Sequence, residues 1–403
     1  MKILCVLSRY AYGRPERGDN YDYVHFVPAW QRMGHEVEVF DSGDRSRFSD
    51  FAALNRALVE TVVLVRPDIV FCVLMHYEIW SETLDLIRTR TPAHVVNWGT
   101  DDSWKFGQAS RFFARHVDLH VTTDRTAAER ATALGLRNVL LSQWAASETI
   151  LAEPLLSSDC QYDISFVGSQ YGYRGEWIAA LRAAGLTVAC FGHGSEHGVV
   201  AASEIPKIHR ASRIALNFSG AGQRGAGGSA RQIKARVFEV PGAGGFLLTE
   251  TAPGLDAYYV PGAEVGVFDT PEDLVAKCRS YLAQAVQRDA IAQAGHQRTV
   301  AQHTYGSRFR EVLQRLTATD DSRPARSWQL SADALDDAVR RHRQHSGLGW
   351  LRWCLVAPLT ALFGPQRGPR AARRLLFECS WRLVGARTYR AGGLAGRLFY
   401  AES

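Results

Sequence analysis

The chain of 403 residues is 46% hydrophobic and 22% charged, with a mean hydropathy of −0.16 and a formal net charge of +6. This balance excludes a disordered chain, a collagen-like fibre and a multispanning membrane protein, and the length predicts two to three domains. Seven scattered cysteines without a CxxC pair argue against a disulfide framework and a structural zinc site.

In chain order, Ile3–Leu7, Glu36–Phe40, Ile69–Met75, His94–Trp98, Leu119–Thr123 and Asn138–Leu141 read as strands. Most are nearly continuous apolar runs, the pattern of a parallel sheet covered on both faces. Helical patterns separate them around Tyr21–Met33, Phe51–Val65, Ile79–Arg88, Gly107–Arg115 and Ala127–Leu134, with Gly34 and Gly135 at expected C-caps. The alternation predicts a doubly wound α/β domain over residues 1–147. Its opening run, too short for a signal-peptide core, reads as the first strand of a cytoplasmic protein.

Residues 148–161, with Pro154 and Ser157-Ser158-Asp159, read as a linker. A second series follows over residues 162–319. Tyr162–Val167, Thr187–Phe191, Ile214–Phe218, Phe246–Thr249 and Val265–Phe268 are its strands, and helices over Leu274–Gln284, Ala285–Ala294 and Val300–Leu316 close it. The fold class expected is α/β, two Rossmann-like domains facing a cleft at the carboxyl ends of their strands. Residues 320–403 form a basic helical tail. From Ser346 onward nine arginines face two glutamates, which leaves the remainder of the chain near neutral. A nucleic-acid protein would spread its basic face over the folded body, so no nucleic-acid partner is expected. The apolar run Trp350–Phe363 is too short to span a bilayer, and with the interspersed arginines it suits either a membrane surface or packing on the catalytic domains.

The strongest local signal is Gln232–Glu250. A short helix carrying Lys234, Arg236 and Glu239 turns through Gly242 and its neighbours into an apolar strand. A glutamate there can accept from a ribose diol while cations one turn away neutralise a diphosphate. The alternative is a helix with an ordinary Arg236–Glu239 pair. Gly168-Ser169 follows a strand, where backbone N–H groups suit a phosphate, with Arg174 just beyond. His193 follows the next strand, within reach of a base or sugar edge or as a plain surface turn. The literal GxGxxG match at Gly220–Gly225 comes late in the domain and runs on into further glycines, unlike a dinucleotide fingerprint.

This block, with Asp163–Ser169, Leu216-Asn217-Phe218, Tyr259–Val265, Arg288…Arg298 and His303…Arg308, resembles the C-terminal half of CgeB-like glycosyltransferases of the GT-B fold. The resemblance implies a nucleotide-diphosphate sugar as donor, no resident metal or other cofactor, and Glu239 on the nucleotide ribose. Asn217 falls in a matching strand. Arg231 stands where the wider group carries a first glutamate.

Transfer to a hydroxyl also asks for a base or orienting group. The first domain offers Asp19, His76, and the adjacent Asp101 and Asp102 after His94–Trp98, the last two lying between Trp98 and Trp104. Either acid would otherwise cap the next helix. The reading is a glycosyltransferase acting on a glycan or lipid-linked hydroxyl, with the basic tail on a membrane surface. A nucleotide-sugar epimerase and a non-catalytic binding module are the alternatives.

Overall fold

A computed structural model describes residues 1–74, 77–220, 231–320, 326–344 and 347–402. It divides into two compact units, residues 1–143 with 310–403, and residues 144–309.

The first unit carries a six-stranded parallel sheet of β1 (Lys2–Leu7), β2 (Glu36–Asp41), β3 (Ile69–Cys72), β4 (His94–Gly99), β5 (Leu119–Thr122) and β6 (Val139–Leu141), in the order β2-β1-β3-β4-β5-β6. Register follows the apolar runs, with Ile3 opposite both Val37 and Ile69 and with Val96 opposite Phe71. Four of the strands are almost wholly buried because helices cover both faces, as their lack of alternation predicts. Local signals set the boundaries. Asp50 accepts from the Ala53 N–H at 2.7 Å and Asp124 from the Ala127 N–H at 2.8 Å, each capping the helix that follows. Gly34 and Gly135 end helices at φ of +82° and +70°.

The second unit holds β7 (Tyr162–Val167), β8 (Val188–Phe191), β9 (Ser212–Asn217), β10 (Leu247–Glu250) and β11 (Gly266–Phe268), in the order β11-β10-β9-β7-β8 and again all parallel. In both sheets the winding reverses between the first and third strand. That switch point is where loops diverge and leave room for a ligand at the carboxyl ends.

Three expectations are corrected. The stretch 148–161 is not a free linker: Ala152 N–H donates to Gly242 O, Ser157 N–H to Asp289, and Arg288 to Leu155 O, all inside the second unit. The break expected after Ala294 is absent, because Gly295 lies within one continuous helix, Ala285–Gln302. A Cβ there would strike Glu264 O, so this glycine serves close packing and not termination. Finally, residues 326–402 are no separate appendage. Leu330, Leu335, Ala338, Val339, Phe377 and Tyr389 join the core of the first unit beside Phe51, Leu58 and Trp80.

Candidate functional site

At the carboxyl ends of the second sheet, the loop after β7 is built around two glycines. Gly168 (φ +152°) donates to Phe191 O, and Gly192 (φ +127°) lies so close that a Cβ would sit 2.5 Å from Gly168 O. Only residues without a side chain allow this approach. Against this floor rests Arg236, the first residue of the helix Arg236–Gly242. Its guanidinium would touch a Cβ on Gly168 at 3.2 Å, lies 5.6 Å from the Phe166 ring, and donates to Asn217 Oδ1 at 3.2 Å. Asn217 is fixed in turn by donating to Thr249 Oγ1 at 2.9 Å. Thus Gly168, Asn217 and Arg236 converge where β7 and β9 part.

The neighbouring residues divide. Arg174 is buried, donating to Ser169 O at 3.2 Å and to the Tyr171 hydroxyl at 3.0 Å. It therefore pins the loop that carries Ser169, and among the described residues no carboxylate pairs with it. Lys234 lies ahead of the helix and not on it, and Glu239 stands partly exposed one turn beyond Arg236. His193 is in an exposed turn. Gly242 is a packing position: a Cβ there would meet Ala146 Cβ at 2.5 Å.

Sequence reasoning missed Glu250. At the end of β10, buried, it accepts from the Tyr173 hydroxyl, from the Ser219 N–H at 2.8 Å and from the Gly220 N–H at 3.3 Å, and pairs with Arg231 Nε at 3.1 Å. Arg231 also reaches Asp269 at 2.7 Å. Both stems of the glycine-rich segment are thus tied to one carboxylate. Arg231, the departure from the glutamate pattern, has a local partner in β10 that pattern matching could not supply. The GxGxxG stretch beyond Gly220 lies outside the described residues.

The first sheet gathers charge at its own switch point. Asp22 in the first turn of the helix Tyr21–Arg32, Glu78 after β3, and Asp101, Asp102 and Lys105 after β4 form one electrostatic cluster. Asp102 is turned inward. It accepts from Ser110 at 2.5 Å and meets His120 Nε2 at 2.8 Å, over a Gly99 whose Cβ would collide with its carboxylate. Burial would raise its pKa, but the His120 charge and hydrogen bonds from His120, Ser110 and Thr122 outweigh it and hold the carboxyl below its ordinary value. Asp102 is therefore a core anchor, which corrects its expected role in contacting the acceptor. Asp101 caps nothing with its side chain and is partly exposed.

Asp22 behaves oppositely. Burial pushes its carboxyl up to about 7; a hydrogen bond from Asn20 opposes this, the Asp101 charge adds to it and Lys105 opposes it. Lys105 is buried too, and desolvation lowers its ammonium pKa against the pull of Glu78, Asp102, Asp101 and Asp22; it donates to Leu74 O at 2.7 Å. Asp19 is exposed in the preceding loop, bridged to Tyr10 through the backbone. His76 lies outside the described residues. Trp98 is wholly buried against Phe26, so of the two tryptophans flanking the acids it is Trp104 that is exposed. A cavity of about 600 Å³ lies elsewhere, at the amino ends of β3 and β4 near Arg66 and Trp328, away from every group above.

Known proteins share this fold. Residues 174–314 match a family described as "Glycosyl transferase-like". No curated protein matches the chain. Among solved structures, Anabaena HepE in complex with UDP and glucose is similar at a TM-score of 0.54 and 14% identity, covering 79% of this chain and all of that one. Sucrose-phosphate synthase from Thermosynechococcus elongatus gives 0.54 and 9% with the same coverage. A glycosyltransferase from Rickettsia africae gives 0.54 and 10%, covering 80% of this chain and 99% of its own. The fold is GT-B.

Proposed function

We propose that the protein is a CgeB-like glycosyltransferase that moves a sugar from a nucleotide-diphosphate donor to the hydroxyl of a glycan or lipid-linked acceptor. The observation that carries this reading is Arg236, held by Asn217 against the bare backbone of Gly168 at the switch point of the second sheet. A guanidinium fixed beside glycines suits a diphosphate, because no side chain on Gly168 keeps the anion from the cation. It lies in the stretch that matches a glycosyl transferase-like family, and the similar HepE was crystallised with UDP and glucose.

In this reading Arg236, with Lys234, neutralises the charge that develops on the departing nucleotide diphosphate. Glu239 accepts from the ribose hydroxyls. Gly168 leaves room for the phosphates, Ser169 faces them from the same loop, and Arg174 holds that loop in shape. On the first unit Asp22 is the base for the acceptor's proton, placed beside the partly exposed Asp101 at the switch point of the first sheet and with its carboxyl pushed up to about 7 by burial. Asp101 orients the same hydroxyl.

The test is incubation of the full chain with UDP- and GDP-sugars, following free nucleotide and the sugar together. Nucleotide release that quickens with an added glycan acceptor supports transfer. An isomerised sugar without release would replace the reading with an epimerase, and binding without either would reduce the protein to a sugar-nucleotide-binding module.

A further inference from the structure

The helix Leu348–Phe363 is apolar on all sides, yet none of its 16 residues is buried. One stripe, Leu348, Leu351, Leu355 and Leu359, packs with Ala372, Leu394 and Leu398 against the helix Gly368–Val384 and the segment after it. On the opposite side Trp350 is 70% exposed and Trp353 66%, and at the end of the helix Leu362 is 70% exposed and Phe363 50%. Its one charge, Arg352, is occupied by Glu402 and the Phe399 ring. The partner helix adds exposed Leu375, Leu383 and Val384. So many exposed large apolar side chains on one helical hairpin point to a surface with a partner.

The charge around the hairpin says what covers it. Arg367, Arg370 and Arg374 are exposed, and among the described residues no carboxylate pairs with them. The segment's two acids are both taken, Glu402 by Arg352 and Glu378 by Arg382. A second copy seated here across a two-fold axis would bring like arginine rows together, which costs free energy. Exposed tryptophans and unpaired arginines on one hairpin instead match the boundary of a bilayer, where indole rings settle at headgroup level and guanidinium groups meet phosphates. At 1.5 Å per residue the helix is about 24 Å long, short of the ~30 Å hydrocarbon core, so by itself it is too short to cross one.

We propose that the hairpin 348–384 is a docking surface for negatively charged lipid, with Trp350 and Trp353 entering the interface and Arg367, Arg370 and Arg374 on the phosphates. The proposal is independent of the sugar-transfer reading. It joins that reading at one point: a surface-bound first unit would be placed to meet a lipid-linked acceptor.

The experiment is co-sedimentation of the full chain with sucrose-loaded vesicles of phosphatidylcholine alone or mixed with phosphatidylglycerol. The expected result is strong binding to the mixed vesicles, weak binding to neutral ones, and loss of the difference as salt screens the charges. The triple variant R367Q/R370Q/R374Q should lose about fivefold in affinity per arginine for the mixed vesicles. The double variant W350S/W353S should bind both vesicle types less. Both variants should melt like the parent, since every replaced side chain is solvent-exposed. No sedimentation with mixed vesicles, or parent-like sedimentation of both variants, would overturn the proposal. So would lipid-independent self-association in the ultracentrifuge that the tryptophan variant abolishes.

Discussion

Replacing Asp22 by asparagine should make the protein more stable and less active at once. The side chain is 6% exposed and its carboxyl is pushed from 3.8 up to about 7, chiefly by burial, so ionising it inside the fold costs about 4 kcal/mol. The sign follows from linkage. The unfolded chain releases this proton near pH 4 and the folded chain only near pH 7, so stability is lost as pH rises between those values and stays lost above them. An asparagine at this position would carry none of that cost while keeping an oxygen for the Asn20 amide, which donates to Asp22 at 3.3 Å. The variant should therefore gain about 4 kcal/mol at pH 8 but only about half a kcal/mol at pH 4. For a unit of this size that corresponds to a rise of roughly 10 °C in the melting temperature at the higher pH. In the parent, kcat/KM should climb through a pKa of about 7. In Asp22→Asn that limb should vanish and kcat fall about 10²- to 10⁴-fold. Calorimetry and initial rates across pH 4–9 decide the matter. A variant that melts lower than the parent at pH 8, or one that keeps the parent's rate, would refute the assignment of Asp22 as a desolvated base.

The second unit carries the remaining predictions. Arg236→Gln should lower kcat about 10²- to 10³-fold by removing charge from the leaving diphosphate, read from steady-state rates; a change confined to KM would mean ground-state binding alone. Glu239→Ala should weaken binding of the free nucleoside diphosphate in calorimetric titration while the melting temperature stays near the parent's, and a large thermal loss with unaltered affinity would make Glu239 structural. Glu250→Ala leaves Tyr173, two backbone N–H groups and Arg231 without their shared acceptor, so the second unit should lose about 3–5 kcal/mol in denaturant unfolding. With Lys234 and Arg236 as the neutralising charges, turnover should be unchanged by EDTA; inhibition reversed by added Mg²⁺ would contradict that role.

Most of the architecture is legible because strands buried on both faces have no alternation to hide in. Ile3–Leu7 and Ile69–Cys72 announce themselves as unbroken apolar runs, and Gly34 and Asp124 mark helix ends by chemistry that acts within a few residues. What depends on distant partners is not legible. The pair Asp101-Asp102 reads as two equivalent acids, yet a helical turn sends Asp102 to His120, eighteen residues on, and leaves Asp101 toward solvent. Asp22 gives no signal at all, since an aspartate in the first turn of a helix is ordinary and only its burial beside Asp101 makes it unusual. Glu250 ends an apolar strand, where an acid looks like a boundary marker. Its value lies in Tyr173 and Arg231, one far upstream and the other across a glycine-rich stretch. The basic tail reads as detached because its composition changes at residue 320, but Phe377 and Tyr389 are core residues of a sheet that begins at Lys2.

The two sheets share a winding order and differ in the sign of charge at the same topological place. Where β1 and β3 part, the first unit gathers Asp22, Glu78 and Asp101 around the Lys105 ammonium, so among the described residues carboxylates outnumber the cation and one of them is held near neutrality. Where β7 and β9 part, the second unit sets Arg236 on a neutral amide and a glycine floor, and its buried carboxylate Glu250 is engaged by Tyr173, Arg231 and the backbone. Glycosyl transfer asks for both signs, one to accept a proton and one to receive negative charge on a leaving group. A guanidinium hydrogen-bonded to Asp22 would pull its carboxyl down and remove its basicity at neutral pH. By the same logic an anion placed under Arg236 would repel an incoming diphosphate and compete with it for the guanidinium. Asn217→Asp makes that change where the amide now accepts from Arg236 at 3.2 Å. It should weaken nucleoside-diphosphate binding in calorimetric titration, while the lost donation to Thr249 is read separately as a lower melting temperature, and an unaltered affinity would remove the phosphates from this end of the sheet.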